Sequence, residues 1–339
     1  MNSNRRSLLW ILAIVIAVVI VIFDSQFPMA QLMSLIGEKL STFATVFLGI
    51  FIEAIPFLLL GTLGSGFVEG FLDQSQIRRF IPRGTLSGAL SGSLLGMVFP
   101  VCECGVVPLT RRLFNKDLSV VAGIAFLLAA PVVNPIVILS TSSAFGWGWM
   151  TAGRVGLCLL IAATSAMLFS VVKKPSEILR PKSLQLEVIK PEDSQLQSTP
   201  RPNIRSRLNR MMVIAADEFF EMGRFLVLGA SLAAGMQAFI PQQMLLQVGH
   251  GPVTSVLVMM ALAVLLSICS TVDAFIALGF VSVFSPGAIL AFLIFGPMVD
   301  IKTTLMYLSV FKKRTVVYLI ALPFLMSFLA GVLINLVVV

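Results

Sequence analysis

Long apolar runs, broken by short polar punctuation, set the pattern of this chain. Leu8–Phe23, Ser41–Leu72, Leu86–Leu109, Leu118–Leu139, Met150–Val172, Met211–Ile240, Val253–Phe284, Pro286–Leu308 and Thr315–Val338 are predominantly apolar. A bilayer-spanning helix needs about 20 such residues. The runs show no period of two, which argues against an outer-membrane barrel. The pattern therefore predicts an all-α polytopic membrane protein.

Arg5 and Arg6 precede the first run, which reads as a transmembrane helix, a cleaved signal being the alternative. Basic residues mark cytoplasmic loops. They flank Leu86–Leu109 on both sides, at Arg78, Arg79 and Arg83 and then at Arg111, Arg112 and Lys116. A single crossing would put one cluster outside, so this Gly- and Pro-rich segment is predicted to re-enter as a hairpin. Such broken helices are tolerated where protein or a cavity shields the backbone. Val253–Phe284 has no basic flank and fits a hairpin entering from the other side. The expected topology has the N-terminus inside, about seven full spans, two opposed re-entrant hairpins and the C-terminus outside. Full crossing of both hairpins is the alternative. Residues 173–210 carry nine basic residues and five prolines and read as a cytoplasmic linker.

The two halves resemble each other. Glu53–Gly61 matches Glu221–Gly229 at an offset of 168, and Ala125–Asn134 matches Ala291–Asp300 at 166; Cys102 falls against Cys269. The predicted organisation is an N-terminal helix and connection over 1–40, a first membrane repeat over 41–172, the linker, and a second repeat over 211–339. In the expected topology the repeats are inverted. That is the architecture of secondary transporters, whose sites lie where discontinuous helices meet.

Composition changes this picture little. The 339 residues are 58% hydrophobic and 12% charged, against about 25% charged in soluble domains. That excludes a soluble enzyme and a nucleic-acid-binding module. The net charge of +8 is orientation, not a sign of an anionic partner. His250 stands alone in a connection, so a histidine metal site or catalytic triad is not expected.

Charge inside a span costs about 2.5–3.5 kcal/mol at its centre on insertion scales, so each such residue is a site candidate. The first hairpin tip holds Cys102, Glu103 and Cys104 between Pro100 and Pro108; the second holds Cys269, Thr271 and Asp273. Thiols suit soft metals and metalloids, and Cys102, Cys104 and Cys269 are soft-metalloid candidates if the tips meet. Cys158 reads as packing. Asn134 and Asp300 follow prolines that free backbone groups, and can serve a solute or an ion. Glu53, Glu221, Asp273 and Asp300 are candidates for proton coupling. Pairing of Glu53 or Glu221 with Arg224, Arg154 or Lys302 is the alternative. Arg111 and Arg112 read as anchors at the cytoplasmic end.

Pro100–Arg112, Ala125–Pro135 and Ser285–Lys302 together resemble a family of bacterial predicted permeases. Its characterised members export trivalent methylated or aromatic arsenicals. The resemblance implies an inner-membrane exporter of a soft metalloid or related solute. Those arsenical permeases tend to have a small residue where this chain has Glu103, which leaves room for a metal cation. The expected partners are the bilayer and a small-molecule or metalloid solute, with a homo-oligomer left open; no cofactor and no nucleic acid are expected. A membrane thiol oxidoreductase using Cys102 and Cys104 is the rival from another class, and an accessory subunit of a larger complex is a third reading.

Overall fold

The computed structural model describes residues 29–71, 84–172, 175–180, 204–239 and 251–338, together with residues 74, 77, 81 and 82. The expected first helix Leu8–Phe23, the basic residues Arg78, Arg79 and Arg83, most of the linker and His250 lie outside the described residues.

The described chain is helical. A long helix α1 (Met29–Phe71) comes first. It is followed by α2 (Thr85–Val98), α3 (Glu103–Asn115), α4 (Val120–Ala129), α5 (Pro135–Phe145) and α6 (Trp149–Leu168). The second half holds α7 (Ile204–Phe239), α8 (Thr254–Leu266), α9 (Asp273–Leu278), α10 (Pro286–Met298), α11 (Ile301–Val310) and α12 (Lys313–Val338). Among the described residues five stretches are long and apolar enough to cross a membrane: Ile36–Phe71, Trp149–Val171, Ile204–Phe239, Pro286–Val310 and Lys313–Val337. The most apolar window of Pro286–Val310 is 83% buried and that of Ile36–Phe71 only 11%, so α10 and α11 form the core and α1 lies at the rim.

Both predicted hairpins return to the end of the bundle from which they start. In the first, a Cβ on Gly88 would lie 3.6 Å from Ser119 Oγ, at the start of α4, and one on Gly96 would lie 2.7 Å from Ala130 Cα, near the end of α4. Helices α2 and α4 therefore run parallel. The short connection from Asn115 to Ser119 brings the end of α3 back to the same level. The stripe Gly88, Gly92, Gly96 lets the two backbones approach closely, as small residues do between membrane helices. In the second hairpin, Ser255 at the start of α8 is hydrogen-bonded to Ser285, the residue before α10, at 3.0 Å.

The open ends of the hairpins are opposed. Phe114, near the end of α3, packs edge-on against Phe311 beyond α11. Pro286, at the start of α10, shares a recess with Phe145 and Trp149. Helices α10 and α11 separate these two ends.

Packing of the long helices is uneven. Helices α1 and α7 lie along each other; α1 also packs on α3, and α7 on α11. No comparable contact joins α1 to α5 or α7 to α9 among the described residues. At the α7–α11 seam a Cβ on Gly229 would sit 2.7 Å from Lys302 Cα.

Candidate functional site

Four helix interruptions bring the polar residues together: Phe99–Cys102, Ala130–Asn134, Ser267–Val272 and Val299–Asp300. Each exposes backbone groups that need partners. Asn134 serves two of these breaks. Its Oδ1 accepts from Ile136 N at 3.0 Å, and its Nδ2 donates to Val101 O at 3.5 Å. Asp300 caps α11 in the same way, its Oδ1 accepting from Thr303 N at 2.6 Å. The matched Pro-x-x-Asn and Pro-x-x-Asp strings are thus helix starts.

The first break presents Cys102, Glu103 and Cys104, all buried. Lys302 Nζ stands 3.5 Å from Glu103 Oε1 and 3.3 Å from Asp300 Oδ2, and all three side chains are 2% exposed. From the second tip, Cys269 Sγ donates to Glu103 Oε2 at 3.9 Å, and Thr271 Oγ1 donates to Cys269 Sγ at 3.5 Å. The tips therefore meet through Glu103 and Cys269. All four cysteines are free. Among the described residues no three of His, Cys, Asp and Glu are arranged to hold a metal ion.

Asp273 lies in a different group. Arg154 of α6 binds both its carboxylate oxygens, at 3.0 and 2.6 Å. The same guanidinium donates to Thr141 Oγ1 at 2.7 Å and to Ser270 O at 3.4 Å. Ser140 Oγ donates to Thr271 O close by. This cluster ties α5, α6 and the second tip together, and Cys158 is buried in α6 below it.

The two glutamates at matched positions have unlike surroundings. Glu53 lies within electrostatic reach of Lys302 and Glu103, and its buried Oε1 has no hydrogen-bond partner. Glu221 instead pairs with Arg111, at 2.9 Å. Arg111 also binds Glu218 Oε1 at 3.1 Å, and Arg112 Nε binds the same oxygen at 2.6 Å. Arg111 and Arg112 are thus buried links between α3 and α7, not solvated anchors. At its edge, Glu69 holds Lys116 and Arg210 at 3.5 and 3.2 Å.

Sequence reasoning named Lys302 and Arg154 only as alternative partners for the glutamates. Both lie inside apolar stretches, and that was the signal available: a cation there needs a buried acid. Nothing local in the sequence distinguishes the buried pair Arg111-Arg112 from an ordinary basic helix end.

Residues 39–336 match a family model described as a predicted permease, ArsP_1. A protein of Bacillus subtilis (strain 168), UPF0718 protein YcgR, is 43% identical over 81% of this chain and 91% of its own length. A protein of Streptococcus mutans described as a putative two-component membrane permease complex subunit is 36% identical over 79% of this chain and 87% of its own. UPF0718 protein YraQ of Escherichia coli (strain K12) is 26% identical over 34% of this chain. No solved structure matches the chain significantly. Its apolar helices indicate a multi-pass membrane protein, and its relatives are those of a permease. The chain belongs to the ArsP_1 predicted-permease family, to which the UPF0718 proteins are its relatives.

Proposed function

We propose that the chain is an inner-membrane secondary transporter, built as an inverted repeat, that exports a soft metalloid, an organoarsenical or a related small solute by alternating access. The observation that carries this reading is the convergence of Cys102, Glu103 and Cys104 from one hairpin tip with Cys269 from the other, in the buried middle of the bundle. Thiols at the meeting point of discontinuous helices suit a thiophilic solute in a transporter. Asn134, Thr271, Asp273 and Asp300 complete the solute-facing set in this reading, and Glu53, Glu221, Asp273 and Asp300 are the groups proposed to couple protons. The N-terminus and the 173–210 linker face the cytoplasm.

The test is growth of a sensitive host on a panel of arsenicals, antimonials and soft metals. Expression of the chain should raise tolerance to at least one. Cys102→Ser, Cys104→Ser and Cys269→Ser should each lower that tolerance at equal membrane abundance, while Cys158→Ser should not. Full tolerance in all three tip variants would remove the thiol site.

A second reading concerns assembly. The Streptococcus mutans relative is described as one subunit of a two-component complex, and this chain is proposed to work with a second membrane subunit. Transport by the purified chain alone in liposomes would refute that.

A further inference from the structure

Among the described residues, three groups of buried ion pairs differ in tightness. Arg154 grips Asp273 through both guanidinium nitrogens at 2.6 and 3.0 Å, with Thr141 and Ser270 as further partners. Arg112 reaches Glu218 at 2.6 Å, and Arg111 completes that group. These are short, charge-assisted hydrogen bonds. Lys302 is different. Its ammonium lies 3.3 and 3.5 Å from Asp300 and Glu103, beyond the usual range of about 2.7–2.9 Å for such bonds. It is attracted by charge and not locked by geometry. Lysine is also a point charge on a flexible stem, whereas arginine is a rigid fork.

Three carboxyl groups surround the single ammonium of Lys302. Glu103 and Asp300 face it directly, and Glu53 stands within electrostatic reach with one buried oxygen that has no hydrogen-bond partner. Of the buried hydroxyls without partners, two neighbour these residues in the chain: Thr303 Oγ1, beside Lys302, and Ser270 Oγ, beside Cys269. Both residues are 1% exposed. Soft donors adjoin the acids, with Cys269 on Glu103 and Cys102 and Cys104 either side of Glu103 in the chain.

We propose that Glu103 and Asp300 form a seat for a soft divalent cation, and that Lys302 is the built-in cation that fills this seat when no solute is bound. This deepens the transporter reading and rests on it, naming the solute class as a cation and not a neutral arsenical. Glu103 Oε1 and Asp300 Oδ2 both face the ammonium, so with it swung away two carboxylates flank one position. Cys269, on the other oxygen of Glu103, becomes the third donor by turning towards that position, with Glu53 as a further carboxyl nearby. Carboxylate and thiol donors together suit a soft divalent ion, and a thiol that ligates it gives up its proton. The lysine prevents two carboxylates from facing each other uncompensated in the emptied bundle, so the return of the empty carrier requires no bound ion.

The probe is Cd2+ on the purified full chain in nanodiscs, measured by calorimetry, with Mg2+ as a hard competitor. Lys302→Met should bind Cd2+ at least tenfold more tightly than the wild type, because the internal competitor is gone. Glu103→Gln, alone or combined with Lys302→Met, should abolish that binding, and Mg2+ should not displace Cd2+. A wild-type measurement guards against a variant that fails to fold: reductive methylation of Lys302, read by peptide mass spectrometry, should rise several-fold when Cd2+ saturates the protein. Cd2+ affinity unchanged by Lys302→Met or by Glu103→Gln, or Cd2+ binding that leaves Lys302 labelling unchanged, would overturn the seat.

The two readings fail separately. If the wild type transports arsenicals but Cd2+ binding ignores Lys302, the seat falls and the transporter stands. If Lys302-dependent Cd2+ binding is present and expression of the wild type raises a sensitive host's tolerance to no arsenical, antimonial or soft metal, the transporter falls and the seat stands.

Discussion

Replacing Gly229 with alanine tests whether the α7–α11 seam is as tight as its backbone geometry requires. The added Cβ would lie 2.7 Å from Lys302 Cα and 3.2 Å from both its Cβ and Cγ. Carbon atoms pack best at about 3.5–4.0 Å, so α7 has to withdraw by roughly 1 Å. The nearest obstacle is backbone and cannot rotate aside. Overpacking of this kind costs about 1–3 kcal/mol. Against it stands the gain of about 1 kcal/mol from replacing glycine by alanine inside a helix. The same gain accrues at Gly223, on the same helix, where nothing lies within 4 Å of the new Cβ. Propensity therefore cancels in the difference between Gly229→Ala and Gly223→Ala. That difference should be about 1–3 kcal/mol, with Gly229→Ala the less stable. The assay is reversible unfolding in mixed micelles, followed by circular dichroism. If the two variants agree within about 0.5 kcal/mol, as unconstrained surface changes do, the close seam is refuted.

Other predictions follow from the buried polar groups. Arg154→Met leaves Asp273 uncompensated and should cost about 3–5 kcal/mol, while Arg154→Met with Asp273→Leu should recover most of the loss; unfolding of both variants checks this. Asn335 Oδ1 accepts from Gly287 N at 2.9 Å and its Nδ2 donates to Pro252 O at 2.8 Å, joining α12 to the open end of the second hairpin. Asn335→Ala should destabilise by about 1–3 kcal/mol by leaving a buried N–H unpaired, and hydrogen exchange at Gly287 should quicken.

Much of the architecture was legible because membranes make punctuation conspicuous. The basic flanks of Leu86–Leu109 indicated a hairpin, and Gly88 beside Ser119 shows the chain returning to its starting level. The tips were legible from their acids and thiols, since each is costly among apolar neighbours. The partners were not. Arg111 and Arg112 end a helix as membrane anchors do, and their burial depends on Glu218 and Glu221, more than a hundred residues away. Glu53 and Glu221 occupy matched positions, yet only Glu221 meets an arginine, because α3 carries Arg111 against α7 and not against α1. Asn134 and Asp300 stand out in the sequence as polar residues after prolines, but their helix-capping roles required the helix starts to be located.

The four interruptions also set the direction of the peptide dipoles. Helices α3, α5, α9 and α11 all begin at a break, while α2, α4, α8 and α10 all end at one. Each N-terminal end acts as roughly half a positive charge and attracts negative charge nearby. Glu103 and Asp273 lie in the first turn of α3 and α9, and Asp300 caps α11. Asn134, the cap of α5, is the one uncharged member of this set. Oriented backbone thus does inside the bundle part of what water does outside it: it surrounds charge with fixed dipoles of both signs. Removing a carboxylate from this layer would leave a helix end facing an apolar interior, a cost separate from any contact with a solute.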